Sequence, residues 1–245
     1  SGSWYLGHYD TAIALAEAGY VVAAPTHTGD SYADQSRSVF IMERPRHVSR
    51  VIDAMLSGWN GHARIDPARI GIFGFSAGAF TALVSIGGVP DLGKIAPFCK
   101  DHAGDFVCQM MARHTEVGSV LKPGRNGAHD VRIKAAVVVA PAVGFAFAPD
   151  GLKKVTVPVD LWRAEDDSVL PHPWYAETVR EALPKAPSYH VIPKAGHFDF
   201  LPPCSDALAA VAKRICGSAA GFDRGEFHVK FNAAMVAFFG EALKN

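Results

Sequence analysis

The chain is expected to fold as an α/β protein with a mostly parallel sheet and helices on both faces. Two observations predict this: segments of helical period alternate with short apolar runs, and those runs are rich in β-branched residues and bounded by proline or glycine. Its 245 residues, 49% of them hydrophobic, suffice for one domain with a sizeable core. We therefore expect a single domain over residues 1–245, interrupted by a lid-like insertion at 88–130.

In chain order, Tyr9 to Ala18 reads as a helix stopped by Gly19, and Tyr20-Val21-Val22-Ala23-Ala24 as a strand ended by Pro25. From Glu43 to Ser57, Val48, Val51, Ile52, Met55 and Leu56 recur at helical spacing, with Gly58 as the stop. A strand over Arg69 to Phe73 is followed by a helix ending near Ile86. Val131 to Ala140, Val157 to Trp162 and Tyr189 to Ile192 are further strands. Asp223 to Leu243 closes the chain as a helix with Phe227, Phe231, Met235, Phe238 and Phe239 on one face, and Asp223 with Glu226 resembles a capping box. Between Gly87 and Asp130 the alternation stops. Val89, Leu92, Ile95, Phe98, Phe106 and Met110 there either line an acyl pocket or only anchor the insertion.

The 24 basic and 24 acidic residues balance, and no run of five or six like charges occurs, which argues against a nucleic-acid partner. The longest apolar stretch, Ala135 to Pro149, is broken by Pro141, Gly144 and Pro149 and is too short to span a bilayer as a helix. The first residues show neither a basic n-region nor an apolar h-region, though a signal already removed would leave none. Cys99, Cys108, Cys204 and Cys216 form two local pairs, which suits disulfides in an oxidising compartment and hence a periplasmic or secreted protein; reduced thiols in a cytoplasmic one are the alternative. Three connectivities are open. A Cys99 to Cys108 bridge would contribute about 2 to 3 kcal/mol on the chain-entropy model. A continuous helix from Asp206 to Ile215 would hold Cys204 and Cys216 roughly 18 Å apart, too far to bridge, so either that helix is broken or the cysteines pair otherwise. No Cys and His spacing suggests a metal site, and no cofactor is expected.

The chemistry is concentrated at Gly74-Phe75-Ser76-Ala77-Gly78. A G-x-S-x-G sequence between a strand and a helix is the context of a nucleophile elbow, in which a tight turn presents the serine and both glycines avoid collisions. A serine hydroxyl needs a histidine to take its proton and a carboxylate to orient that histidine. In an elbow-type fold these follow in the order Ser, acid, His, at the C-terminal ends of strands. After the strand ending at Trp162 comes the acidic turn Glu165-Asp166-Asp167, and after the one ending at Ile192 comes Gly196-His197-Phe198. His8, His102, His114, His129, His172, His190 and His228 read most simply as surface or loop residues. His27, after a strand, either faces substrate or hydrogen-bonds a group that does.

Gly-Phe-Ser-Ala-Gly, the segment Leu161 to Pro173, Gly196-His197-Phe198-Asp199-Phe200-Leu201 and Ala18 to Gly29 together resemble the predicted dienelactone hydrolases of bacteria. These belong to the α/β-hydrolase superfamily and are similar to platelet-activating-factor acetylhydrolases. The resemblance covers nearly the whole chain. It implies an α/β-hydrolase fold, Ser76 as nucleophile, His197 as general base then acid, and Asp167, four residues before Pro171, as the acid. Its expected activity is hydrolysis of short-chain acyl esters or lactones through an acyl-enzyme, since serine replaces the cysteine of true dienelactone hydrolases. Acyl transfer or peptide cleavage by the same residues, or a non-catalytic binding module, are the alternatives.

The resemblance also places an oxyanion hole at the N–H groups of Ala77 and of Ser1 or Gly2; Trp4, His27, Phe75 and Phe198 are the expected substrate-binding residues. It implies three further strands ahead of Ser1, one of them from the middle of the sheet. On this reading the chain is a fragment, a processed chain with a partner segment, or a rearranged fold.

Overall fold

A computed structural model describes residues 4–113 and 129–244. Four parallel strands, β1 (Ile70–Phe75), β2 (Ile133–Val139), β3 (Val159–Ala164) and β4 (Ser188–Ile192), lie side by side in chain order. Each is joined to the next by a crossover carrying helix, as parallel strands require. The fold is thus the α/β class expected, and every strand predicted from residue 69 onward is present within two or three residues of its expected bounds.

Side chains alternate across a strand, so β1 shows which helices cover which face. Gly71, Phe73 and Phe75 point to one face, where the last helix packs: the Phe73 and Phe231 rings are 6.3 Å apart, and a Cβ at Gly71 would strike Phe239. Gly74 points to the other, against the helix that follows Ser76. β2 lies between these layers, with Ala135 to Val139 wholly buried, which is why it reads as a continuous apolar run rather than an alternating one.

The helices are α1 (Tyr9–Glu17), α2 (Arg44–Asp53, continued by a π turn at Ala54–Gly58), α3 (Ala77–Ser85), α4 (Ile95–Asp101), α5 (Phe106–Ala112), α6 (Ala176–Ala182), α7 (Asp206–Val211), α8 (Lys213–Cys216) and α9 (Arg224–Ala242). Asp223 caps α9 by accepting the Glu226 N–H at 2.9 Å. α1 packs on α9 through Thr11, whose hydroxyl donates to Asn232 at 2.7 Å.

One expectation fails. Residues 20–24 form no strand: Val21 and Val22 are 44% and 38% exposed, and no backbone pairs with them among the described residues. β-branched composition favours a strand only where a ladder partner exists. Here the elbow strand β1 is the outer strand of the sheet, and a cavity separates it from residues 20–27. Of the two alternatives left open for residues 206–215, the broken helix is the one observed. It breaks at Ala212 (φ −120°, ψ 50°), folding α8 back so that Cys204 and Cys216 bond with their Cα atoms 5.7 Å apart. Cys99 and Cys108 also bond, tying α4 to α5.

The insertion consists, where described, of α4 and α5. Leu92, Ile95, Phe106 and Met110 line the cavity, whereas Phe98 stacks on Phe145 at 3.9 Å and Val89 faces solvent. The remainder of residues 88–130, His114 included, lies largely outside the described residues.

Candidate active site

Ser76 stands between β1 and α3 with φ 56° and ψ −117°, a strained backbone for a residue with a side chain. Four hydrogen bonds hold it there. Its N–H extends the sheet ladder to the Val139 carbonyl at 2.8 Å, and its own carbonyl accepts from Ala79, Phe80 and Ala142 at 3.0 to 3.2 Å. Gly74 is required by the turn, because a Cβ there would lie 2.1 Å from the Gly78 carbonyl oxygen. Gly78 is not: a Cβ there meets nothing within 4 Å, contrary to the expectation that both glycines relieve collisions. Ala77 opens α3, so its N–H has no carbonyl a turn back within the helix to bond.

The acid and histidine turns lie at the same end of the sheet, at the tips of β3 and β4. They are zipped together: the Glu165 N–H donates to the Ile192 carbonyl at 3.0 Å, the Asp166 N–H to the Ala195 carbonyl at 2.9 Å, and the Lys194 N–H to the Glu165 carboxylate at 3.0 Å. Each acidic residue of the turn thus has a separate part. Glu165 and Asp166 bind the turns to each other, and Asp167 alone reaches inward. Its Oδ2 lies 2.8 Å from His197 Nδ1, while its Oδ1 accepts the N–H groups of Val169 and Leu170 at 2.9 and 2.7 Å. His197 Nε2 lies 3.2 Å from Ser76 Oγ.

The structure therefore brings together Ser76, His197 and Asp167 in one hydrogen-bonded chain, with the histidine and the carboxylate buried and the serine half-buried. Phe75 and Phe198 flank the imidazole, at 4.7 and 5.2 Å between ring centres. Both nitrogens of His197 are committed to neighbours, and the aromatic walls restrict its rotation.

Ser76, Ala77, His197 and Phe198 open onto a cavity of about 1660 Å³ that also reaches along the outer edge of β1. Trp4 and His27 line the same cavity. Trp4 is 42% exposed and packs edge-on against Tyr32. His27 Nδ1 lies 3.2 Å from His47 Nδ1, a sharing in which one ring donates and the other accepts. Burial, the nearby Arg44 guanidinium and His47 lower the His27 pKa from 6.5 to about 3, so it is a neutral hydrogen-bonding group. His27 thus lines the cavity and hydrogen-bonds a second histidine. Arg44 forms a buried ion pair with Asp30 on this wall. Ser1 and Gly2, the expected second oxyanion donors, lie outside the described residues.

Of the histidines expected as surface or loop residues, His228 is neither, while His8 in its turn and His190, with a side chain 39% exposed, are partly exposed but make specific contacts. His228 is buried between Asp10 and the Asp199 carbonyl. His190 stacks on Trp162 at 3.9 Å and bonds the buried Asp160. The His8 ring lies edge-on to Phe73 and Phe75.

Sequence reasoning also passed over Asp199 and Arg224, a buried ion pair directly behind His197. The available signal was a carboxylate set between two phenylalanines, Phe198 and Phe200, on an otherwise apolar turn. Among the described residues, no group of three or more His, Cys, Asp or Glu side chains is arranged to hold a metal ion, and no helix is long and apolar enough to cross a membrane.

No protein-family model matches the chain, and no curated protein matches it. Among solved structures it is similar to a ferulic acid esterase from Streptomyces cinnamoneus, with a TM-score of 0.60, 20% identity and 99% of this chain covered. The chain spans 65% of the length of that protein. At this identity the likeness is one of fold alone.

Proposed function

We propose that the chain is a serine hydrolase of carboxylic esters that works through an acyl-enzyme. The observation that carries this reading is the hydrogen-bonded chain from Ser76 Oγ through His197 to Asp167, set on a strained turn beside a cavity. His197 Nε2 takes the Ser76 proton as Oγ attacks the ester carbonyl. Asp167 holds the ring by Nδ1 and stabilises the imidazolium that forms. The tetrahedral oxyanion is met by the Ala77 N–H, with Ser1 or Gly2 as the second donor; one such donor contributes about 3 to 4 kcal/mol. His197 then returns its proton to the leaving alcohol, and a water repeats the sequence in reverse to free the acid.

The kinship we favour is with the bacterial predicted dienelactone hydrolases, on the elbow, the acid turn and the Gly-His-Phe turn taken together. Short-chain acyl esters and lactones are the proposed substrates. The solved neighbour is named a ferulic acid esterase, which makes a feruloyl ester a natural further assay. Residues 1–245 are proposed as one such domain, with 88–130 as its lid. The two disulfides favour a periplasmic or secreted location.

The test is hydrolysis of p-nitrophenyl esters of increasing acyl length by the wild type and by Ser76→Ala. The expected result is turnover that falls at least about 10⁴-fold in the variant. If the wild type neither hydrolyses any ester nor reacts with a fluorophosphonate probe, the reading fails. Alcohol acceptors and amide substrates separate transfer and peptide cleavage from hydrolysis.

A further inference from the structure

We propose that Asp199 is a positioning residue for His197, and that Arg224 locks it to the Cys204–Cys216 loop; this rests on His197 being the base proposed above. His197 begins a four-residue 3-10 turn, His197–Phe200, and the residue before it sets the direction in which its side chain leaves the backbone. That residue, Gly196, is held from inside the protein: its N–H donates to Asp199 Oδ2 at 2.8 Å. The turn therefore closes on itself through a carboxylate two residues beyond the histidine.

The carboxylate is in turn fixed on its other oxygen. Asp199 Oδ1 accepts the Ser218 hydroxyl at 2.5 Å, Arg224 Nε at 3.0 Å and an Arg224 terminal nitrogen at 2.9 Å. The Asp199 carbonyl faces His228 Nε2 at 2.9 Å, and the far side of that ring meets Asp10 at 2.6 Å. Asp199 is 2% exposed and Arg224 7%, so neither charge has water as an alternative partner.

Arg224 has further donors, and their targets give it its reach. Nη1 donates to the Ile215 carbonyl and Nη2 to the Gly217 carbonyl, both at 3.0 Å. These carbonyls flank Cys216. One guanidinium thus joins the first turn of α9, the disulfide-closed loop and the turn carrying His197.

The arrangement exceeds what burial of an ion pair requires. A buried pair is weak evidence for stability, because desolvation offsets much of its Coulombic gain. Here the pair places a specific backbone N–H one residue from the base, and misplacement of a reacting group by about 1 Å can cost about 100-fold in rate. Asp199 touches neither substrate nor the reacting atoms; it acts through Gly196 and His197.

The experiment compares wild type, Asp199→Asn and Asp199→Ala. Each is measured for kcat and KM on p-nitrophenyl butyrate, for urea midpoint, and for the downfield proton resonance of the His197 to Asp167 hydrogen bond. Both variants leave Arg224 without its counter-charge, so both lower the midpoint. Only Asp199→Asn keeps an oxygen to accept the Gly196 N–H. The expected result is a kcat at least tenfold lower in folded Asp199→Ala, with KM within about twofold, most of the rate regained in Asp199→Asn, and the resonance lost only in the alanine variant.

If kcat follows the midpoint equally in both variants, or Asp199→Ala keeps the wild-type rate and resonance, the proposal is overturned. If Asp199→Ala does not fold, Ser218→Ala with Arg224→Met provides the second pair of readouts, with kcat and the resonance expected to fall together at unchanged KM. The resonance needs no substrate. A wild type that shows it but hydrolyses no ester refutes the esterase reading and leaves the positioning reading to stand or fall on the resonance of the variants.

Discussion

The two sides of Ser76 are built differently. On the side of β2, β3 and β4, the chain is filled: Ala135 to Val139 are wholly buried, Asp167 and His197 are buried, and the buried charges behind them are paired. On the outer side of β1, residues 20–27 run past the strand without pairing, Val21 and Val22 are exposed, and the space between is a cavity of about 1660 Å³. The geometry of serine, histidine and acid is thus a property of the filled side. The substrate-facing candidates Trp4 and His27 belong to the open side. Changes on the filled side should alter the chemical step or the fold, and changes on the open side should alter binding or very little.

The largest effect expected on the filled side is that of Asp167→Asn. The amide preserves shape and one acceptor for the Val169 and Leu170 N–H groups, so the protein should unfold near the wild-type midpoint. Turnover should fall about 10⁴-fold, because the ring is no longer held in the tautomer that accepts the Ser76 proton. Steady-state ester kinetics read this directly. Near-normal turnover would mean that another carboxylate serves His197.

Next is Gly74→Ala. Its Cβ would meet backbone atoms of Gly78 and Ala79 at 2.1 to 2.7 Å, and backbone cannot rotate aside as a side chain can. The elbow must open or α3 must shift, at a cost of about 3 kcal/mol or more. Urea denaturation and fluorophosphonate labelling should both report the loss.

This pair also shows what could be read before the structure. Ser76, Asp167 and His197 were legible because each sits in a local motif whose turn chemistry is written in adjacent residues, and because their order along the chain is constrained by the sheet. Choosing Asp167 over Asp166 depended on the distance to Pro171; in the structure it is the Asp167 carboxylate that lies 2.8 Å from His197 Nδ1. What could not be read depends on partners distant in sequence. The Val21-Val22 run has strand composition but no ladder partner among the described residues. Asp199 and Arg224 are ordinary charges until the fold brings residues 199, 218 and 224 together. The bridge between Cys204 and Cys216 required a helix break at Ala212 that no proline or glycine marks.

On the border between the two sides, His8 offers a smaller and pH-dependent effect. Its ring lies between Phe73 and Phe75, its Nδ1 is buried without a hydrogen-bond partner, and burial lowers its pKa from 6.5 to about 4. The unfolded chain therefore takes up a proton near pH 6.5 that the folded chain refuses until near pH 4. Stability contributed by the neutral ring is present above pH 6.5 and is lost as pH falls towards 4, by about 2 kcal/mol between pH 7 and pH 5. His8→Leu should remove that part of the slope in urea midpoints measured at the two pH values. An unchanged slope would show that His8 is hydrated.

The smallest expected effect is the most discriminating for the comparison itself. Gly78 lies in the first turn of α3 and borders the cavity, and a Cβ there meets nothing within 4 Å. With its backbone helical, alanine should be tolerated or should stabilise by up to about 1 kcal/mol through lost freedom in the unfolded chain. Ester turnover should change by no more than a few-fold, since a methyl group on a helical backbone leaves the bonds of Ser76 to Val139, Ala79, Phe80 and Ala142 in place. Gly74→Ala and Gly78→Ala thus make a matched pair across one turn, with the same added group and opposite expectations. If Gly78→Ala proves as damaging as Gly74→Ala, the space outside β1 is occupied in the working protein, and the contrast between a filled and an open side fails. If it is silent while Gly74→Ala is severe, the elbow is constrained from the α3 side alone, and the tight packing of Ser76 ends where the cavity begins.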